Sequence, residues 1–174
     1  VTTVDYGAIQ RRSLRILATG QVLGGLGMGA AFSLGSLLTA SVGGSPAFAG
    51  LSATMSTLGT ALFAIPLARL AGRVGRRYAL ATGGAIGLVG AIMVIVSASL
   101  NNLPLLLASM LTLGAGGAVN LQTRFAAADL AKPETRARDL SLVVWATTIG
   151  VVVGPNLVGP GDLLGEKLGL PALT

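Results

Sequence analysis

Apolar residues run along this chain in long blocks, and polar residues collect in the gaps between them. A helix crossing the roughly 30 Å hydrocarbon layer of a bilayer takes about 20 apolar residues. Five blocks have that character: about 14–40, 51–67, 79–100, 103–128 and 140–158. Lipid offers no partner to backbone N–H and C=O groups, so each block reads as a helix. The pattern predicts an all-α fold, a polytopic membrane helix bundle of about five transmembrane helices. It divides the chain into an N-terminal arm (1–13), the five-span bundle (14–158) and a loop (159–174) leading towards a further span.

The gaps alternate in charge. The connectors "SVGGSPAFAG" (41–50) and "SASLNNLPL" (97–105) carry none. The arm and the start of the first span hold Arg11, Arg12 and Arg15. The second-to-third connector holds Arg69, Arg73, Arg76 and Arg77. The end of the fourth span and its connector hold Arg124, Lys132, Arg136 and Arg138. Of twelve basic residues, only Lys167 falls on the other side. The positive-inside rule makes the arginine-bearing side cytoplasmic. The expectation is a multi-pass protein of the cell membrane, with its N-terminus in the cytoplasm and residues 159–174 outside.

Composition agrees with this and narrows the chemistry. Hydrophobic residues make up 52% of the chain and charged residues 10%, where soluble domains carry about 25% charged. A net charge of +6 by itself also fits a nucleic-acid binder. The few aromatic residues do not interleave with the arginines, as a base-stacking surface requires, so no nucleic-acid partner is expected. The chain has no cysteine and no histidine, which removes disulfides, thiol nucleophiles and imidazole metal sites. "GPGD" (159–162) fits the G-x-G-D of intramembrane aspartyl proteases, whose chemistry needs two facing carboxylates. Asp162 lies in a loop and has no second acid at its depth. The sequence therefore names no catalytic residue, metal site or cofactor, and the chain is not expected to be an enzyme.

Small residues recur one helical turn apart: Gly20 and Gly24, Gly25 and Gly29, Gly83 and Gly87, Gly150 and Gly154. Such pairs let helix backbones approach closely in lipid. Pro155 has no N–H and crowds the carbonyl of Val151, so a bend is expected near Gly154. Gln21 and Ser33 in the first span, Asn120 and Gln122 in the fourth, and Trp145, Thr147 and Asn156 in the fifth could line a solute path. Each could equally bond to a neighbouring helix.

"ARLAGRVGRRYAL" (68–80) resembles the loop between spans two and three of the major facilitator superfamily, G-x-L-A-D-R-x-G-R-[RK]-x-x-L. Leu70, Ala71, Arg73, Gly75, Arg76, Arg77 and Leu80 match; Ala68 and Gly72 depart. "DLAKPETRARDLSLVVWATTIG" (129–150) resembles the family's fourth-to-fifth connector, with Asp129, Glu134, Arg136 and Arg138 at the charged positions. "GVVVGPNLVG" (150–159) resembles its antiporter signature through Gly150, Gly154, Pro155 and Gly159, with Val158 in place of a glycine. The arginine usual within span four is absent, Ser109 or Met110 standing there. The resemblance covers about residues 14–160, most of a family N-terminal half.

The resemblance implies an alternating-access transporter whose partners are the bilayer, a small-molecule substrate, protons and a C-terminal half. It implies a conformational latch made of Arg73, Gly75, Arg76, Arg77, Asp129 and Arg136, with Arg76 paired to Asp129. It implies export of a small hydrophobic compound in exchange for protons. Other coupling or direction within the family, and a non-transporting five-helix interaction module, are the alternatives.

Overall fold

A computed structural model of the chain describes residues 6–129, 131–157 and 159–161. Every element in it is helical. The long helices are α1 (Tyr6–Gly43), α2 (Ala49–Val74), α3 (Arg76–Ser99), α4 (Leu103–Leu113), α5 (Ala115–Ala128) and α6 (Arg136–Val153). A 3-10 turn, Pro46–Phe48, leads into α2, and another, Gly154–Leu157, follows α6. α4 and α5 form one span interrupted at Gly114, so five stretches are long and apolar enough to cross a membrane.

The helices outrun the apolar blocks. α1 begins inside the expected arm and carries Arg11 and Arg12, while α2 and α3 run into the arginine connector. Hydropathy marks the length that lipid covers. A helix continues into the headgroup region as long as nothing breaks it. Of the loop expected over 159–174, only residues 159–161 are described; Asp162 and Lys167 lie outside the described residues.

Burial is inverted relative to a soluble protein. Ile16, Leu23, Leu88, Leu100, Trp145 and Val152 are each more than 60% exposed, while Thr39, Ser97 and Ser109 are wholly buried. The buried hydroxyls bond to carbonyls one turn back on their own helices, as Ser97 does to Val94 (2.9 Å) and Ser109 to Leu106 (2.6 Å). An apolar cluster of Leu38, Leu106 and Met110 fills the end of the bundle remote from the arginines.

At Gly114, where span four is interrupted, hydroxyls of α2 meet its carbonyls. Thr60 donates to the Gly114 carbonyl (2.9 Å) and Ser56 to that of Met110 (3.3 Å). This is how an irregular turn is tolerated at membrane depth: a neighbouring helix supplies the bonds. α6 packs along α1, α3 along α4 and α5, and α2 against the same span from another side.

Candidate functional site

The arginine connector closes in one residue. α2 ends at Val74 and α3 starts at Arg76, so Gly75 alone makes the turn, with φ +101° and ψ 158°. That region of backbone space is essentially restricted to glycine. A Cβ there would meet no atom within 4 Å, so conformation and not space requires the glycine.

The turn sets Arg76 at the head of α3, facing the end of α5. Its Nε and Nη2 donate to the two carboxylate oxygens of Asp129, the latter bond at 2.9 Å, and Nη1 donates to Gln122 Oε1 (3.2 Å). Its guanidinium carbon lies 5.9 Å from the centre of the Phe125 ring. A cation at a helix N-terminus and an anion at a helix C-terminus each oppose the helix dipole. Arg76 and Asp129 stand at these unfavourable ends, and their forked pairing offsets the penalty of both. Arg73, Arg77 and Arg136 are exposed and form no ion pair among the described residues.

A second polar contact braces the same end, and sequence reasoning missed it. Gln10 Nε2 on α1 lies 2.9 Å from both the Ala127 carbonyl on α5 and Asp139 Oδ2 on α6. Both side chains are buried. Asp139 sits in the first turn of α6, where a carboxylate suits the dipole. The available signal was an acid directly before the fifth apolar block. Gln10 gave none, since it falls in a stretch with no apolar block.

Mid-bundle, the glycine pairs of α1 and α6 meet each other. A Cβ on Gly25 would lie 2.7 Å from the Thr147 carbonyl oxygen, and one on Gly150 would strike the Val22 carbonyl. One on Gly29 would strike the Val151 carbonyl and one on Gly154 that of Leu26. The two pairs interlock, so neither helix has room for a side chain. Pro155 belongs to the same contact, its ring 3.0 Å from a Gly29 Cβ. The regular helix ends at Val153 and tightens to 3-10 over Gly154–Leu157. Gly159 is exposed and touches nothing comparable; Val158 lies outside the described residues.

The polar residues singled out along the spans do not share one surface. Gln21 and Asn120 both donate to Thr147 Oγ1, at 2.8 and 3.2 Å, tying three spans together. Gln122 is a partner of Arg76. Asn156 bonds back to the Val152 carbonyl (3.0 Å) and is exposed. Ser33 is half-buried on α1. Trp145 is exposed and lines an open groove of about 680 Å³ between α1 and α6, with Arg15 and Arg138 at one end. No group of three or more acidic side chains that could hold a metal ion occurs among the described residues.

The chain is similar to three proteins named as transporters. It is 41% identical to "Uncharacterized MFS-type transporter YddS" of Bacillus subtilis over 95% of this chain and 38% of that protein. It is 40% identical to "Uncharacterized MFS-type transporter YdeG" of the same organism, over 96% and 39%. It is 30% identical to "Riboflavin transporter RfnT" of Brucella anthropi, over 85% and 37%. The chain thus spans about two fifths of the length of the relatives it matches. No solved structure matches it significantly. The model of the Major Facilitator Superfamily matches residues 17–172, so it takes in the arginine connector, the Asp129 end of span four and the glycine seam together. With that match over nearly the whole chain, this multi-pass membrane protein belongs to the Major Facilitator Superfamily of transporters.

Proposed function

We propose that this chain forms part of one half of a secondary transporter that exports a small hydrophobic compound in exchange for protons. In this reading the two halves of the transporter rock about a central site. The arginine-bearing end faces the cytoplasm, and the contact of Arg76 with Asp129 and Gln122 is the latch that tightens in one state and opens in the other. That contact carries the reading. It joins α3 to α5 at the membrane edge, through charges that do nothing for their own helices. The interlocked glycines of α1 and α6, closed off by Pro155, supply a wall without gaps through which protons would leak. The described spans hold no carboxylate at mid-depth, so this reading assigns the proton-carrying group to the remainder of the transporter.

A second reading, transport of a flat heteroaromatic solute, is favoured by the likeness to the riboflavin transporter. Everted vesicles carrying the chain within its complete reading frame separate the two. Under an imposed inward-acid gradient, export predicts accumulation of a hydrophobic fluorescent dye, slowed by Arg76→Ala and by Asp129→Asn. Riboflavin exchange without dye movement selects the second reading. Dye accumulation that both substitutions leave unchanged removes the latch.

A further inference from the structure

The groove of about 680 Å³ between α1 and α6 has Arg15 and Arg138 at one end and Trp145 along its wall. We infer that it binds an aromatic anion, with the acidic group of the solute on the two arginines and its flat body against Trp145. The inference rests on the transporter reading and deepens it: the small hydrophobic compound becomes one that carries a negative charge.

The two arginines come from different helices. α1 and α6 run parallel, with Gly25 beside Gly150 and Gly29 beside Gly154, and this register brings Arg15 and Arg138 to nearly one level. No carboxylate lines the groove, and neither guanidinium has an ion-pair or hydrogen-bond partner among the described residues. The contrast at the same end of the bundle is Arg76, which Asp129 neutralises. Asp139, next to Arg138 in sequence, is buried against Gln10 and does not line the groove. A guanidinium stays charged at any working pH, and its fork of N–H groups matches the oxygens of a carboxylate or phosphate. Arg138 also stands in the first turn of α6, where a cation opposes the helix dipole. A bound anion offsets both charges at once.

The exposed faces of two spans differ in kind. On α3, Leu88, Val89, Ile92, Ile95 and Val96 are exposed, and no polar side chain interrupts them. That face suits acyl chains. On α6 the exposed residues Arg138, Ser141, Trp145 and Thr148 follow one another at i, i+3, i+7 and i+10, the spacing of a single helix face. Polar groups on successive turns of a membrane helix face water, a solute or protein, because lipid cannot bond to them.

Size and lining agree with a small solute. Ligand sites commonly enclose about 300–1,000 Å³ and combine apolar walls with a few placed polar groups. Here Val22, Leu142 and Ile149 supply the apolar wall, and the Ser141 hydroxyl has no partner among the described residues. Trp145 lies two turns of α6 beyond Arg138, about 10 Å along the axis. A body of two or three rings with an acid at one end spans that distance. The exposed indole offers such a body an aromatic partner, which an aliphatic chain of equal area does not exploit.

Binding can be read separately from transport. The chain within its complete reading frame is placed in phosphatidylcholine nanodiscs and titrated with anilinonaphthalene sulfonate or with phenyl naphthylamine, the same rings without the acid. Energy transfer to the bound probe is taken as the part that Trp145→Phe removes. The sulfonate is expected to bind about tenfold more tightly than the uncharged probe. Arg15→Ala and Arg138→Ala should each weaken the sulfonate about tenfold and leave the uncharged probe unchanged, which also shows that the variants are folded. Arg138→Lys, which keeps the charge, should weaken it less. Equal affinity for the two probes, or sulfonate binding that neither arginine variant weakens, would overturn the proposal. Quenching of Trp145 by brominated phosphatidylglycerol that the sulfonate does not relieve would also overturn it, by making the groove a lipid seat. Dye export in everted vesicles without arginine-dependent binding sinks this inference and spares the export reading. Arginine-dependent binding without dye export supports the site and sinks that reading.

Discussion

Two regions of this bundle hold helices together by opposite means. At the arginine-bearing end, long side chains reach across: Arg76 to Asp129 and Gln122, Gln10 to Ala127 and Asp139. In the middle, α1 and α6 are joined by what is missing, since Gly25, Gly29, Gly150 and Gly154 let backbone lie on backbone. A bond between flexible side chains can be broken and remade over a few ångströms. A backbone seam has no second arrangement of comparable fit. The seam therefore makes α1 and α6 a single body, whereas the charged end is where the proposed latch would register movement between bodies.

The largest effect is expected at the seam. Gly150→Leu would drive a side chain into the Val22 carbonyl and the Gly25 Cα. Neither can retreat without separating the helices, so the cost exceeds the roughly 1–3 kcal/mol usual for overpacking a core. Fluorescence-detected size exclusion in detergent should show loss of the folded peak. Gly24→Leu, one turn from Gly20 on the open face of the same helix, should leave that peak unchanged in this chain. If both behave alike, the seam is no tighter than the rest of α1.

The contrast between these glycines shows where the sequence stops being legible. Five spans could be read because lipid demands long apolar runs, and no tertiary contact can waive that. Four glycine pairs could also be read, but as equals. That Gly25 and Gly29 face Gly150 and Gly154, while Gly20 and Gly24 face open space, depends on how α1 is rotated against its neighbours, and spacing does not encode that rotation. The polar residues show the same limit. Gln21, Asn120 and Gln122 stand out in apolar runs, yet two of them bind Thr147 and the third binds Arg76. Gln10 and Asp139 were missed for another reason: hydropathy assigns them to connectors, although the helices run on through them.

The second effect in size is expected at Gln10. Removing its amide by Gln10→Ala leaves the buried Asp139 carboxylate without its donor, a loss of about 1–3 kcal/mol. Unfolding in mixed micelles with increasing dodecyl sulfate should move its midpoint down accordingly. Asp139→Asn, which retains an acceptor oxygen, should cost less. A midpoint unchanged by Gln10→Ala would mean that water reaches this carboxylate, and the brace would reduce to the Arg76 pair.

The smallest effect on stability is expected at that pair. The Arg76 and Asp129 side chains are 33% and 45% exposed, so solvent screens their attraction. A double-mutant cycle of Arg76→Ala and Asp129→Asn should give a coupling of about 0–1 kcal/mol. The coupling should shrink further as salt rises from 0.1 to 1 M, where the screening length falls from about 10 to 3 Å. A small number is what a latch requires. A contact that opens and closes in each cycle cannot be worth so much that one state traps the protein. A coupling of several kcal/mol, insensitive to salt, would make the pair a fixed strut like the glycine seam, and the difference between the two regions would vanish.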